Sequence, residues 1–190
     1  VRRKYGLHVL RFKKISDIVR QGYGHKLFRL LNITYADLYG FSELTEEMIA
    51  YYIKKYVPLL RLELVTLIAD ESGELVAFGV ALPSLSRAMQ KARGRRMFPL
   101  GACHLLRALN SNKAEVCDLM LIAAHPTAQN LGAAALLFTE MIPQFQKLGT
   151  VYAESNPELI DNYRIQALWG NFDKVLHKRR AVFAKEIDRK

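Results

Sequence analysis

The sequence has little of what membrane spans and disulfide scaffolds are made of. Its 190 residues include two cysteines, one tryptophan and six prolines. No uninterrupted apolar run approaches the roughly 20 residues that a membrane-spanning helix needs. The first residues, Val1–Tyr5, lead into no apolar segment of a signal peptide. We therefore expect a folded domain with no membrane partner.

The cysteines and histidines show no spacing that suits a metal ion. Cys103 and Cys117 each lie among apolar residues, which predicts two reduced core thiols, as is typical of cytoplasmic proteins. His104, His125 and His177 are scattered along the chain. We predict no metal site and a cytoplasmic location.

Acidic residues are scarce relative to basic ones. There are 18 Asp and Glu residues against 28 Lys and Arg residues, so the formal net charge is +10 and the pI is near 9.7. Such a charge favours a polyanionic partner, which could be nucleic acid, anionic lipid or a phosphate-rich cofactor, and selects none of them.

Hydrophobic periodicity predicts a mixed α/β domain with one central sheet, covering residues 1–190. An edge-like strand is followed by helices, a glycine-turn hairpin, two more helices, a strand, a long helix, a strand, a helix and a closing hairpin. The predicted strands are 6–12, 62–69, 75–82, 115–123 and 150–154, and the closing hairpin is 172–187. The predicted helices are 16–31, 45–56, 84–92, 100–109, 132–148 and 157–169.

The stretch from Glu115 to Gly149 carries the strongest functional signal. A short apolar strand enters a loop that ends in Gly132, Ala133 and Ala134, where a long apolar helix begins. Small residues at a helix start leave backbone N–H groups accessible, and the helix dipole adds positive potential. The pattern predicts a site for a phosphate or pyrophosphate group.

This loop resembles the pyrophosphate loop of the GCN5-related N-acetyltransferase superfamily. Gln129, Gly132 and Ala134 fill the motif of Gln or Arg, two residues, Gly, one residue, then Gly or Ala, with Pro126 three residues upstream of Gln129. The segment Glu154-Ser155-Asn156 follows after the next strand. The resemblance implies a mostly antiparallel sheet of about seven strands, splayed between the fourth and fifth strands, with helices on both faces.

A closer resemblance is to the C-terminal domain of larger bacterial proteins of this superfamily. It rests on stretches such as Tyr39-Gly40-Phe41, Val57-Pro58-Leu59-Leu60 and Lys178-Arg179-Arg180. It implies that residues 1–190 are one domain behind an N-terminal region of the same chain.

The resemblance implies an acyl-CoA cofactor, acetyl-CoA or another acyl-CoA, and an amine acceptor of unknown identity. Asn156 at the end of the fifth strand is implied as a pantetheine contact, and a simple N-cap before Pro157 is the alternative. The remaining cofactor residues fall into two sets. The pyrophosphate would rest on Gln129, Asn130, Leu131, Gly132, Ala133 and Ala134, and the pantetheine arm would pair with the strand at Leu121, Ile122 and Ala123.

Acyl transfer to an amine needs a base for the amine and an acid for the leaving thiolate. Glu115, Asp118 and Glu154 are the candidate bases; we favour Glu154, with a structural carboxylate as the alternative. The superfamily's usual tyrosine acid would fall at Ala167, so Tyr163 is the candidate acid or else a packing residue.

Three functions remain open at this point. The loop favours an acyl-CoA-dependent N-acyltransferase. The absent tyrosine motivates a non-catalytic CoA-binding or regulatory module. The positive charge alone motivates a partner of nucleic acid or tRNA, which the cofactor loop does not support.

Overall fold

The computed structural model describes residues 6–93, 100–129 and 131–185. These residues form two compact units, one reaching to Ser155 and one from Asn156 onward. The predicted basic loop 94–99 and the predicted cofactor residue Asn130 lie outside the described residues.

The first unit is built on a five-stranded sheet in sequential order. Neighbouring strands are antiparallel except for the last pair, which is parallel. The strands are β1 (His8–Val9), β2 (Val65–Ala69), β3 (Leu75–Pro83), β4 (Val116–Ala124) and β5 (Tyr152–Ser155).

Seven helices accompany the sheet within the described part of the first unit. They are α1 (Ile15–Arg20), α2 (Tyr23–Tyr35), α3 (Glu46–Tyr56), α4 (Ser86–Ala92), α5 (Leu100–Leu109), the single-turn α6 (Pro126–Gln129) and α7 (Ala133–Lys147). The predicted helix 16–31 is two helices, because Gly22 takes φ 79° and starts α2 as its N-cap. Thr45 caps α3 as predicted, its hydroxyl accepting from the Met48 N–H at 3.3 Å.

The sheet carries helices on both faces, as predicted. On one face Phe78 and Val80 of β3 pack among the buried leucines of α2. On the other face Cys117 of β4 packs against Met141 and Phe145 of α7. Because successive strand residues point to opposite faces, this contact fixes the direction of every β4 side chain near Cys117.

The β2–β3 hairpin forms as predicted, with Gly73 at φ 82° in its turn. One Asp70 carboxylate oxygen accepts hydrogen bonds from the backbone N–H groups of Ser72 and Glu74, at 2.9 and 3.0 Å. The Ser72 hydroxyl bonds the same oxygen, and this bond is the main cause that lowers the pKa of Asp70. The turn is therefore held by side-chain bonds as well as by glycine.

Gly79 lies at the centre of the sheet where α7 crosses it. A Cβ added there would come within 2.6 Å of the Met141 sulfur, and Met141 is buried. We expect Gly79→Ala to lower the free energy of unfolding by about 1–3 kcal/mol, since a packed core accepts no added methyl group without displacement. Urea unfolding measures this. Gly170→Ala is the control, because a Cβ there meets nothing within 4 Å; equal losses in both variants would contradict the expectation.

The second unit differs most from the predictions. The predicted helix 157–169 is confined to α8 (Tyr163–Leu168), followed by a single 3-10 turn, Trp169–Asn171. Asn162 caps α8, its side-chain oxygen accepting from the Ile165 N–H at 3.5 Å. The N-cap alternative for Asn156 is therefore wrong, because no helix begins at Pro157.

The predicted closing hairpin is also wrong within the described residues. Residues 172–185 contain no strand, and their side chains are exposed, up to 100% for Val182. Strand-like composition makes a strand only when a neighbouring ladder and a buried face reward it. The described sheet consequently has five strands where we predicted about seven.

Candidate cofactor and acyl-transfer site

The predicted cofactor loop joins the end of β4 to the start of α7. His125 donates its N–H to the Val76 carbonyl at 2.8 Å, which holds the loop on β3. The His125 ring lies 2.7 Å from the Thr127 hydroxyl, so this histidine belongs to a local turn. Gly132 then takes φ 76° and ψ 25° and precedes α7 as its N-cap.

The loop's own carbonyls occupy several of the amides that we predicted for the pyrophosphate. The N–H groups of Gln129, Leu131 and Gly132 donate to the carbonyls of His125, Ala128 and Gln129, at 3.1, 3.1 and 3.4 Å. Of the predicted amides that belong to described residues, those of Ala133 and Ala134 at the start of α7 remain.

The first turn of α7 contains the amides of Ala133, Ala134 and Ala135, and a helix's first N–H groups have no intrahelical acceptor. The first intrahelical bond that reaches back to the cap is from Leu136 N–H to the Gly132 carbonyl, at 3.0 Å. Ala133 is buried, Ala134 half-buried and Ala135 exposed. Residues 119–139 carry no Asp, Glu, Lys or Arg, so within this segment the main chain is what attracts an anion.

The hydrogen-bond alternation of β4 shows which of its backbone groups are directed away from β3. In an antiparallel pair, residues alternately direct both their N–H and C=O to the partner strand or away from it. The bond from His125 N–H to Val76 fixes the phase. Counting back along the register, Ala123 and Leu121 bond to β3, whereas Ile122 and Ala124 direct their groups away from β3.

Two side chains bind the carbonyls that this alternation directs away from β3. The Gln129 side-chain amide donates to the Ala124 carbonyl at 2.9 Å. The Tyr35 hydroxyl donates to the Ile122 carbonyl at 3.1 Å. Of the three strand residues that we predicted for the pantetheine arm, Ile122 is therefore the one whose main chain is directed to the outer side of β4.

A β-bulge lies in β4 immediately before this point. Val80 pairs with Leu121 and Ala81 pairs with Leu119, which leaves Met120 as the extra residue on β4. Bulges bend a strand and often adjoin active sites. The β5 register ends here as well, at Leu119 and Ser155, although β4 continues to Ala124. Because β5 ends at Ser155, the part of β4 beyond the bulge has no β5 partner among the described residues.

Two of the candidate bases are brought together. Asp118 on β4 is the register partner of Glu154 on β5. Both are half-buried, and both make further contacts. Asp118 follows Cys117, whose side chain faces α7, so Asp118 and its partner Glu154 project from the opposite face, where α2 packs.

The third candidate base is occupied elsewhere. The Glu115 carboxylate lies before β4 and forms an ion pair with Arg87 at 2.7 Å. Asn156 and Tyr163 belong to the second unit, where both are exposed, Tyr163 by 74%. Their predicted roles as pantetheine contact and acid stay predictions.

The sequence analysis missed two features of the site, the bulge at Met120 and the tyrosine that bonds Ile122. Tyr35 lies between the predicted helices 16–31 and 45–56, in a segment for which the sequence predicts no function. No local pattern marks either feature, because each depends on pairing between segments 40 to 90 residues apart. Burial raises the pKa of the Tyr35 phenol, and its ring packs edge-on to Phe41.

One open concavity of the first unit lies apart from these residues. It measures about 510 Å³ and is lined by residues of α2 and of the segment leading into α3, among them Arg29, Asn32 and Leu44. It contains none of the predicted site residues. Among the described residues, no group of histidine, cysteine and carboxylate side chains is placed to hold a metal ion. Across the same ranges, every helix is too short or too polar to cross a bilayer.

Comparisons with known proteins identify the fold. The aminoglycoside 6′-N-acetyltransferase AAC(6′)-Ih from Acinetobacter baumannii superposes with a TM-score of 0.57 at 13% identity, covering 96% of this chain and all of that one. A ribosomal-protein-alanine N-acetyltransferase from Brucella melitensis gives 0.52 at 13% identity, covering 94% and 98%. AAC(6′)-Iy, solved with a CoA-containing bisubstrate analogue, gives 0.55 at 10% identity, covering 95% and 99%.

These likenesses confirm the predicted fold class, a mixed α/β architecture of the acyl-CoA N-acyltransferase type. At 10–13% identity these likenesses show the fold alone. No family model matches the sequence, and no curated protein matches it.

Proposed function

We propose that this chain is an acyl-CoA-dependent N-acyltransferase that transfers an acetyl group to an amine. One observation supports the proposal above all others. Within the β4 segment Leu121–Ala123, Ile122 is the residue whose N–H and C=O point away from β3. The chain then runs from β4 through Gly132 to the first amides of α7. The pantetheine arm needs outward backbone groups with which to pair, and the pyrophosphate needs free amides next to them.

In the proposed complex the pyrophosphate lies against the first amides of α7, where the helix dipole favours negative charge. Gly132 at φ 76° has no side chain to obstruct the approach. The pantetheine arm then follows β4 back toward the bulge at Met120, accepting from the outward N–H groups as an added strand would, while the outward carbonyls stay bonded to Tyr35 and Gln129.

At the reacting end, Ile122 N–H polarises the thioester carbonyl, as a main-chain donor aimed at a developing oxyanion does. The Asp118–Glu154 pair on the α2 face takes the proton of the attacking amine, directly or through water. Glu154 is the carboxylate that we favour. The N-terminal region preceding this domain stays a prediction.

A titration with CoA tests the proposal. For a Kd of about 10 μM, 1 mM CoA stabilises the native state by about 2.7 kcal/mol, which raises Tm by roughly 5–11 °C for a domain of this size. Pantetheine, which lacks the pyrophosphate, is the control ligand and should have a much smaller effect. No change in Tm at millimolar CoA would contradict the proposal.

A thiol-release assay with acetyl-CoA and a panel of amines then separates catalysis from binding alone. Release that depends on one class of amine is the expected result. CoA binding without release from any amine would instead favour the non-catalytic module, which the absence of tyrosine at Ala167 motivates.

A further inference from the structure

We infer that Tyr35 is the acid that protonates the departing CoA thiolate, an inference that rests on the proposed function. The position at which the superfamily's tyrosine is expected is Ala167, so the proton must come from another group. Tyr35 is the tyrosine that the structure places on β4, with its hydroxyl 3.1 Å from the Ile122 carbonyl.

The direction of the Ile122 main chain carries the inference. A strand residue directs its N–H and its C=O to the same side. The bond from Tyr35 therefore places its hydroxyl on the side of β4 toward which Ile122 N–H points, where the thioester would be polarised. When the thioester carbonyl oxygen accepts from the Ile122 N–H, the thioester sulfur lies beside that oxygen. The Tyr35 hydroxyl is then next to the sulfur.

The surroundings of Tyr35 suit a proton donor. It ends α2 on the sheet face from which Asp118 and Glu154 also project, so acid and base share one side of the sheet. Its ring is half-buried, and the hydroxyl is held in place by the Ile122 carbonyl. Burial raises the pKa of the phenol, so the hydroxyl carries its proton at neutral pH.

The step balances without a further reactant. The amine nitrogen bonds to the thioester carbon, and collapse of the tetrahedral intermediate breaks the C–S bond, leaving the electron pair on sulfur. Tyr35 gives up its hydrogen bond to the Ile122 carbonyl and transfers that hydroxyl proton to the sulfur, which gives free CoA. The amine's proton leaves through the carboxylate pair, and the phenolate recovers a proton from solvent.

The thiol of bound CoA tests the inference without any knowledge of the acceptor. A phenol that donates to sulfur stabilises the thiolate and lowers the pKa of the bound thiol. Titrating the ultraviolet absorbance of the CoA thiolate bound to the protein reports that pKa. We expect Tyr35→Phe to raise it by about one unit, a tenfold change in the acid dissociation constant, while the Kd for CoA changes less.

Tyr23→Phe is the matched control, since Tyr23 lies on the same helix and its hydroxyl is also directed at a backbone carbonyl, that of Gly73, at 3.5 Å. It should leave the bound thiol's pKa unchanged. If Tyr35→Phe does not fold, 3-fluorotyrosine at position 35 keeps the ring and hydroxyl with a more acidic proton, and should lower the pKa of the bound thiol.

The outcomes separate the inference from the function on which it rests. A wild-type protein that does not bind CoA overturns both. Binding with the same thiol pKa in wild type and in Tyr35→Phe overturns the role of Tyr35 alone, and so does an equal shift in Tyr23→Phe. A shift confined to the Tyr35 variants supports the inference.

Discussion

Gly132→Asp should bind CoA at least about 100-fold more weakly than the wild type, a change of about 2.7 kcal/mol in binding free energy. Gly132 stands at the start of α7 with φ 76°. A carboxylate at this position would lie beside the amides that we assign to the pyrophosphate. Like charges would then repel, and the added side chain would stand beside the amides that the pyrophosphate approaches.

Gly22→Asp provides a close control for this variant. Gly22 is also an N-cap glycine with positive φ, 79°, and a Cβ there would meet nothing within 4 Å. Both substitutions impose a left-handed conformation on a residue with a side chain, so both should lose about 1 kcal/mol of stability. Calorimetric titration with CoA should separate them, with Gly22→Asp within about twofold of the wild type.

Comparison with Gly22→Asp shows whether the pyrophosphate lies at the start of α7. If Gly132→Asp binds CoA as the wild type does, the pyrophosphate does not lie at the start of α7, even if the protein binds CoA elsewhere. If both variants lose affinity equally, the loss reflects general destabilisation.

Glu154→Gln should lower the rate of amine-dependent thiol release by about 10²- to 10⁴-fold, the usual contribution of a general base. The Kd for CoA should stay near the wild-type value, because the carboxylate acts on the amine. Asp118→Asn should also lower the rate, since the two residues are register partners on one face of the sheet.

The double variant distinguishes a shared role from two separate ones. Residues that act as a unit give strongly non-additive losses, so Asp118→Asn with Glu154→Gln should be little slower than the worse single variant. Glu63→Gln is the control, because Glu63 forms an ion pair with Arg61 outside this site. A pair of single variants that both retain full rates would remove the carboxylates from the mechanism.

Much of the first unit could be predicted because its signals are local. Alternation predicted the β2–β3 hairpin, and Thr45 with the acidic residues after it predicted the start of α3. Helical periodicity predicted a helix over 132–148, and α7 covers Ala133–Lys147. These patterns show which side chains of one helix or strand can be buried on one face. Residues close together in the sequence determine that face.

The predictions failed where a local pattern had no partner to satisfy it. The segment 172–185 has strand-forming residues, yet in the described structure it pairs with no strand and buries little. The region 157–162 has no helix, and Asn162 rather than an earlier residue caps α8. Propensity is a weak guide when tertiary burial does not reinforce it.

By itself the sequence determined most elements of the first unit, their order and the small-residue loop at the start of α7, since each follows from the chemistry of adjacent residues. Only the tertiary structure decided that Met120 bulges, that Asp118 meets Glu154, and that Tyr35 reaches the Ile122 carbonyl. Those contacts join segments far apart in the chain. Their register depends on how whole strands and helices pack, and no local pattern records that.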